Sequence, residues 1–171
     1  MEARSGNSHT TSYRQPPSVD SSKSSLTQEM ASAFDWKKVS YYLLLSRAID
    51  DIEESRLVPQ KLVFNQFSAR GHDLAQILLG LLLNHPCDAA SGYYRSRPFV
   101  LSLGLDLEDA VAAPMAKSGS YSDGRDIGVV CNFPNTERKG AMLFPMCGGV
   151  GAQFSPVSGW AQSIVYNQRV L

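Results

Sequence analysis

Gly92-Tyr93-Tyr94-Arg95-Ser96-Arg97-Pro98 sets two tyrosines and two arginines between a turn containing Cys87-Asp88-Ala89-Ala90 and a new apolar run, Phe99 to Leu103. A guanidinium there is a planar fork that suits phosphate or carboxylate. A neighbouring Tyr hydroxyl adds a directional donor. Taken alone, the heptapeptide reads as a surface ion pair beside two packed tyrosines. A second stretch, Cys147-Gly148-Gly149-Val150-Gly151-Ala152-Gln153, shifts that balance. Its glycines let the main chain approach a ligand and visit positive φ, so backbone N–H and C=O become recognition groups. The competing reading is a tight turn that enters a helix.

Upstream of the heptapeptide, Asp35 is an N-cap candidate for a helix carrying Trp36, Val39, Leu43, Ile49 and Ile52 at helical spacing. Lys37, Lys38, Arg47, Asp51 and Glu54 give it a wet side. The acidic cluster Asp50, Asp51, Glu53 and Glu54 reads as a solvated helix face rather than a metal site. Pro59 disfavours helix at Val58 and ends the element. Residues 60–67 form an irregular link. Leu74, Ile77, Leu78, Leu81 and Leu82 then make one apolar stripe, widened by Leu79 and Leu83, so this helix is expected to be buried on most sides. Each fully buried leucine is worth about 1.5–3 kcal/mol. Pro86 forbids continuation. His72, at the start of that helix, is a second-rank site candidate that can titrate near neutrality or orient an anion.

Downstream, Phe99 to Leu103 is expected to be helical and Gly104 to break it. Leu107 to Met115 reads as a short helix, with Asp106, Glu108 and Asp109 favourable near its N-terminus. Residues 118–144 have little periodicity, and a loop of that length in a compact domain is functional or poorly ordered. From Gln153 to Tyr166 the pattern is helical, with Pro156 in the first turn and Trp160, Ile164 and Val165 as apolar contributors. Val170-Leu171 looks like the opening of a buried strand.

The chain has 171 residues, 43% of them hydrophobic, and a formal net charge of zero. That length supports one domain or part of a larger one. The charge balance gives no global electrostatic case for nucleic acid or an anionic membrane. Cys87, Cys131 and Cys147 lack paired metal spacing and read as reduced thiols, packed or incidental, of a cytoplasmic protein. Residues 1–28 are polar and serine-rich, without the apolar core of a signal peptide, and read as a flexible tail. The folded part is expected over 29–171. The run Ile77 to Leu83 is far too short to span a bilayer.

Five segments occur in one order: Ser68-Ala69-Arg70-Gly71-His72-Asp73-Leu74-Ala75-Gln76, Tyr93-Tyr94-Arg95-Ser96-Arg97, Gly124-Arg125-Asp126-Ile127-Gly128, Gly149-Val150-Gly151-Ala152-Gln153 and Gly159-Trp160-Ala161-Gln162. Together they resemble the alpha subunit, or the alpha half of a fused alpha/beta chain, of thiamine diphosphate-dependent 2-oxoacid dehydrogenases of the pyruvate and branched-chain type. The resemblance runs from about residue 35 to the end and rests on the ordered set rather than on any one motif. It implies an α/β, thiamine diphosphate-binding fold, of which these residues would be a helix-dominated N-terminal portion. It implies oxidative decarboxylation of a 2-oxoacid, with acyl transfer to the lipoyl group of a partner acyltransferase.

By that resemblance, Tyr94 and Arg95 hold the cofactor diphosphate, with Arg97 a weaker neighbour. The Gly148 carbonyl and the Val150 N–H and side chain support the aminopyrimidine ring. A fixed cation that neutralises diphosphate, and a glycine turn that admits a heterocycle, agree with that division of roles. The family's magnesium-binding Gly-Asp-Gly and later Asn would lie beyond Leu171, as would its catalytic histidine loop. The activating glutamate belongs to the beta half. No catalytic residue and no metal ligand is therefore assigned within the chain, which reads as an N-terminal fragment that needs a beta partner and is an oligomer when complete. Ala152 stands where branched-chain members often carry Thr, whereas the Gly124-Arg125 loop leans towards the branched-chain type. The other readings are a non-catalytic subunit-interaction protein and a thiamine enzyme of the transketolase type.

Overall fold

A computed structural model describes residues 32–126, 128, 130, 132 and 141–170. The expected flexible tail at 1–28 lies outside the described residues. The chain divides at Ala33 and Phe34, and the fold below is that of the second unit. Its order is α1 (Trp36–Ile52), a π-helical turn (Glu53–Leu57), α2 (Asp73–Leu82), β1 (Ala89–Ser91), α3 (Arg97–Leu103), α4 (Leu107–Ala112), β2 (Met142–Phe144) and α5 (Phe154–Val170). β1 and β2 pair in parallel, with Ala89 opposite Met142 and Ser91 opposite Phe144. The result is a mixed, helix-dominated architecture on a small parallel sheet. That is compatible with the α/β class.

Local chemistry explains several element ends. The Asp35 carboxylate accepts from Lys37 N at 3.0 Å and Lys38 N at 3.4 Å, which caps α1. Five residues of π-helix carry the chain on to Leu57, just short of Val58-Pro59. α3 stops at Gly104, whose φ of 116° suits glycine and lets its N–H reach the Val100 and Leu101 carbonyls. Trp160 ties α5 to the body, donating from Nε1 to the Cys87 carbonyl at 2.7 Å and meeting the Phe144 ring edge-on.

The centre of the molecule is α3. All seven of its residues are buried, Arg97 included. Phe99, Val100, Leu101 and Leu103 join Ile49 of α1, Ala90 of β1, Ala110 of α4 and Leu143 of β2 in one apolar cluster. α2 crosses α3 at close range because Gly80 has no side chain. A Cβ built there would lie 2.0 Å from Ser102 Oγ and 3.0 Å from the Phe99 carbonyl.

Three expectations are corrected. Asp50 and Glu53 are not a solvated face: they are 2% and 1% exposed, while Asp51 and Glu54 stay in water. The two buried acids project towards Arg97, and its charge is what permits their burial. α2 is not buried on most sides. Only Asp73, Ile77 and Gly80 are buried, and Leu74, Leu79 and Leu82 are exposed, because α1 and α3 cover one face of it and leave the other open. Val170 does not open a strand, since α5 continues through it; Leu171 lies outside the described residues. No helix among the described residues is long and apolar enough to cross a membrane.

Candidate functional site

The two stretches singled out in the sequence meet. The Tyr93 hydroxyl donates to the Gly148 carbonyl at 3.1 Å, across 55 residues of chain. The Tyr93 N–H is held in turn by Ser96 Oγ at 3.0 Å. This turn brings the chain from β1 into the buried α3, so the position of the tyrosines follows from the core packing of Phe99 to Leu103.

Tyr94 lies between two aromatic rings. Its centroid is 3.9 Å from Tyr93 and 4.5 Å from Phe67. The Arg95 guanidinium sits 5.3 Å from the Phe67 centroid and 5.7 Å from that of Tyr94, within the range of cation–π attraction. Arg95 Nη1 donates to the Ser68 carbonyl at 3.1 Å, and the Arg95 carbonyl accepts from Gln76 Nε2 at 3.2 Å. The Tyr94 phenol is held below its ordinary value, first by the adjacent Tyr93 hydroxyl and then by Arg95, against partial desolvation. The neighbouring Tyr94 hydroxyl and partial desolvation raise Tyr93.

Arg95 differs from its neighbours in its partners. Arg47 pairs with Asp73, Arg70 with Asp51 and Glu54, and Arg97 with Asp50 and Glu53. Among the described residues no carboxylate pairs with Arg95, whose side chain is exposed. Its charge is fixed in place by a carbonyl and two rings and is not neutralised by any described carboxylate. An anion is the chemistry that completes such a group.

The remaining candidates divide. Arg97 is corrected from a neighbour of the anion site to an interior residue. It is 3% exposed, and both terminal nitrogens are consumed by Asp50 and Glu53. Gly148 faces open space, since a Cβ at that position would meet nothing within 4 Å, and Gly151 takes the positive φ of 83°. The Val150 side chain stands 94% exposed beside them. His72 is an exposed residue at the start of α2, and its side chain makes no capping hydrogen bond. A groove of about 350 Å³ runs beside this region, bordered by Gln76, Leu79, Ala90, Ser96, Phe99 and Val157. Sequence reasoning missed Tyr93 as the link to Gly148, and Phe67 and Ser68 as the supports of Arg95. A glycine-rich stretch gives a sign of close approach, but none of which side chain approaches it.

Among the described residues no group of three His, Cys, Asp or Glu side chains is placed to hold a metal ion. Cys87 and Cys147 are free and exposed, and Cys131 lies outside the described residues. No protein-family model and no curated protein matches the chain.

Proposed function

We propose that this chain is the cofactor-binding alpha portion of a thiamine diphosphate-dependent 2-oxoacid dehydrogenase, of branched-chain or pyruvate type. The observation that carries the reading is Arg95: a guanidinium held in place, exposed and unpaired with any described carboxylate, next to a tyrosine that reaches the glycine turn. Arg95 binds diphosphate by charge-assisted hydrogen bonds, and the Tyr94 hydroxyl adds a donor. The Gly148–Gly151 turn offers main-chain groups and the apolar Val150 side chain to the heterocycle. Thiamine diphosphate supplies the carbanion-stabilising chemistry that decarboxylation needs, and this chain binds and orients it. Magnesium is the implied second cofactor, and none of these residues is assigned as its ligand. The partners are a beta subunit or beta half and a lipoyl acyltransferase, in the cytoplasm. The exposed leucines of α2 and the exposed Phe154, Val165 and Tyr166 of α5 support an apolar partner surface.

Calorimetric titration of thiamine diphosphate and magnesium tests the reading, first into the chain alone and then with a beta partner. Binding that appears with the partner and is lost in Arg95→Ala supports it. Equal affinity in wild type and Arg95→Ala, with the partner present, overturns it. Partner association with no cofactor uptake turns the assignment to a non-catalytic interaction protein.

A further inference from the structure

We infer that Asp50, a buried carboxylate of α1, is the positioning residue for Arg95, acting through Ser68; this rests on the anion-site reading of Arg95. The connections form a closed ring. Asp50 Oδ2 accepts from Ser68 Oγ at 2.5 Å. The Ser68 carbonyl accepts from Arg95 Nη1 at 3.1 Å. Two residues on from Arg95 in the chain, Arg97 Nη1 returns to the other Asp50 oxygen, Oδ1, at 2.6 Å. One carboxylate thus holds both the carbonyl that orients the Arg95 head and the residue that anchors its main chain.

The parts of the ring differ in exposure in the way a positioning device requires. Asp50 is 2% exposed and Arg97 3%, Ser68 is half-buried, and Arg95 is at the surface. The Ser68 hydroxyl also accepts from Arg70 N at 3.2 Å, which fixes the backbone on both sides of the buried Ala69. The Ser68 carbonyl is therefore not free to turn away from Arg95. A long arginine side chain loses much rotamer freedom on binding an anion. Holding it beforehand removes that cost and raises affinity without a new contact to the ligand.

Ser68→Ala breaks the ring at one hydroxyl and leaves the carbonyl in place, while Ser68→Thr restores the hydroxyl. The probe is inorganic diphosphate, titrated into the full chain, together with the NMR signals of the Arg95 guanidinium, assigned by their loss in Arg95→Ala. Ser68→Ala is expected to broaden or shift those signals and to weaken diphosphate by about three- to tenfold, the range of one lost hydrogen bond. Ser68→Thr is expected to return both towards wild type. Unchanged Arg95 signals in Ser68→Ala overturn the positioning role, whether or not diphosphate binds. Diphosphate that binds wild type and Arg95→Ala equally overturns the anion-site reading instead, and the guanidinium signals still decide the role of Asp50.

Discussion

Arg97 Nη2 donates to both carboxylate oxygens of Glu53, at 2.6 and 2.8 Å, in the interior of the molecule. Its other terminal nitrogen is spent on Asp50, so one guanidinium serves two acids. Removing it strands two buried carboxylates. Arg97→Met is expected to cost about 3–5 kcal/mol in urea denaturation. Arg97→Lys is expected to recover only part of this, because an ammonium is a point charge and cannot reproduce the fork. A loss in Arg97→Met no larger than that of a surface substitution contradicts the burial assigned to the triad.

Two carboxyl groups should shift stability with pH in opposite directions. Burial pushes Glu53 above its ordinary value of 4.5, and Asp50 and Glu54 add to this against the pull of Arg97. Its contribution is complete below about pH 4.5 and is lost as pH rises through the folded value. For Asp73 burial pushes upward, but Arg47 and the Leu74 N–H outweigh it and set the group below 3.8. Its contribution is complete above about pH 3.8 and is lost as pH falls through the folded value. Denaturation at a series of pH values is expected to show Glu53→Gln gaining on wild type as pH rises through the acid range. The deficit of Asp73→Asn is expected to shrink as pH falls. Parallel curves for the two variants contradict these assignments.

Gly80→Ala tests the contact between α2 and α3. In an isolated helix the change favours stability by about 1 kcal/mol through propensity. Here the new Cβ meets Ser102 Oγ at 2.0 Å, and that hydroxyl is committed to the Phe99 carbonyl at 2.8 Å. Overpacking of this kind costs about 1–3 kcal/mol, so a net loss is expected. Ser102→Gly in the same chain should restore part of it. A more stable Gly80→Ala contradicts the close approach.

What could be read from the sequence was local. Asp35 as a cap and Gly104 as a break act on residues within a turn of themselves, and both hold. The helical run also ends before Pro59, but Val58 keeps helical φ and ψ of −65° and −48°, so the proline does not force the residue before it out of helix. The burial of Asp50 and Glu53 was not legible, because it depends on Arg97 at separations of 47 and 44 residues. For the same reason Arg95 and Arg97 looked alike in sequence. A single turn of chain puts one against Ser68 at the surface and the other between two acids. The contact from Tyr93 to Gly148 joined two stretches that composition had marked separately. For α2, the apolar residues announced a buried helix, but which neighbours would cover it is a tertiary fact.

The uneven burial of α2 makes the last prediction. Ile77 is fully buried and Leu79 is 51% exposed, two residues along the same helix. Ile77→Ala removes packed atoms and leaves a cavity, and is expected to cost about 2–5 kcal/mol. Leu79→Gln is expected to stay within about 0.5 kcal/mol of wild type, as surface changes do. Hydrogen exchange should show the Ile77 amide among the slow ones of the chain, since its helix rests on α3 there. If the open face of α2 is a partner surface, Leu79→Gln weakens association with a beta subunit while the isolated chain remains equally stable. A stability loss for Leu79→Gln equal to that of Ile77→Ala would show that the face is covered within the chain itself.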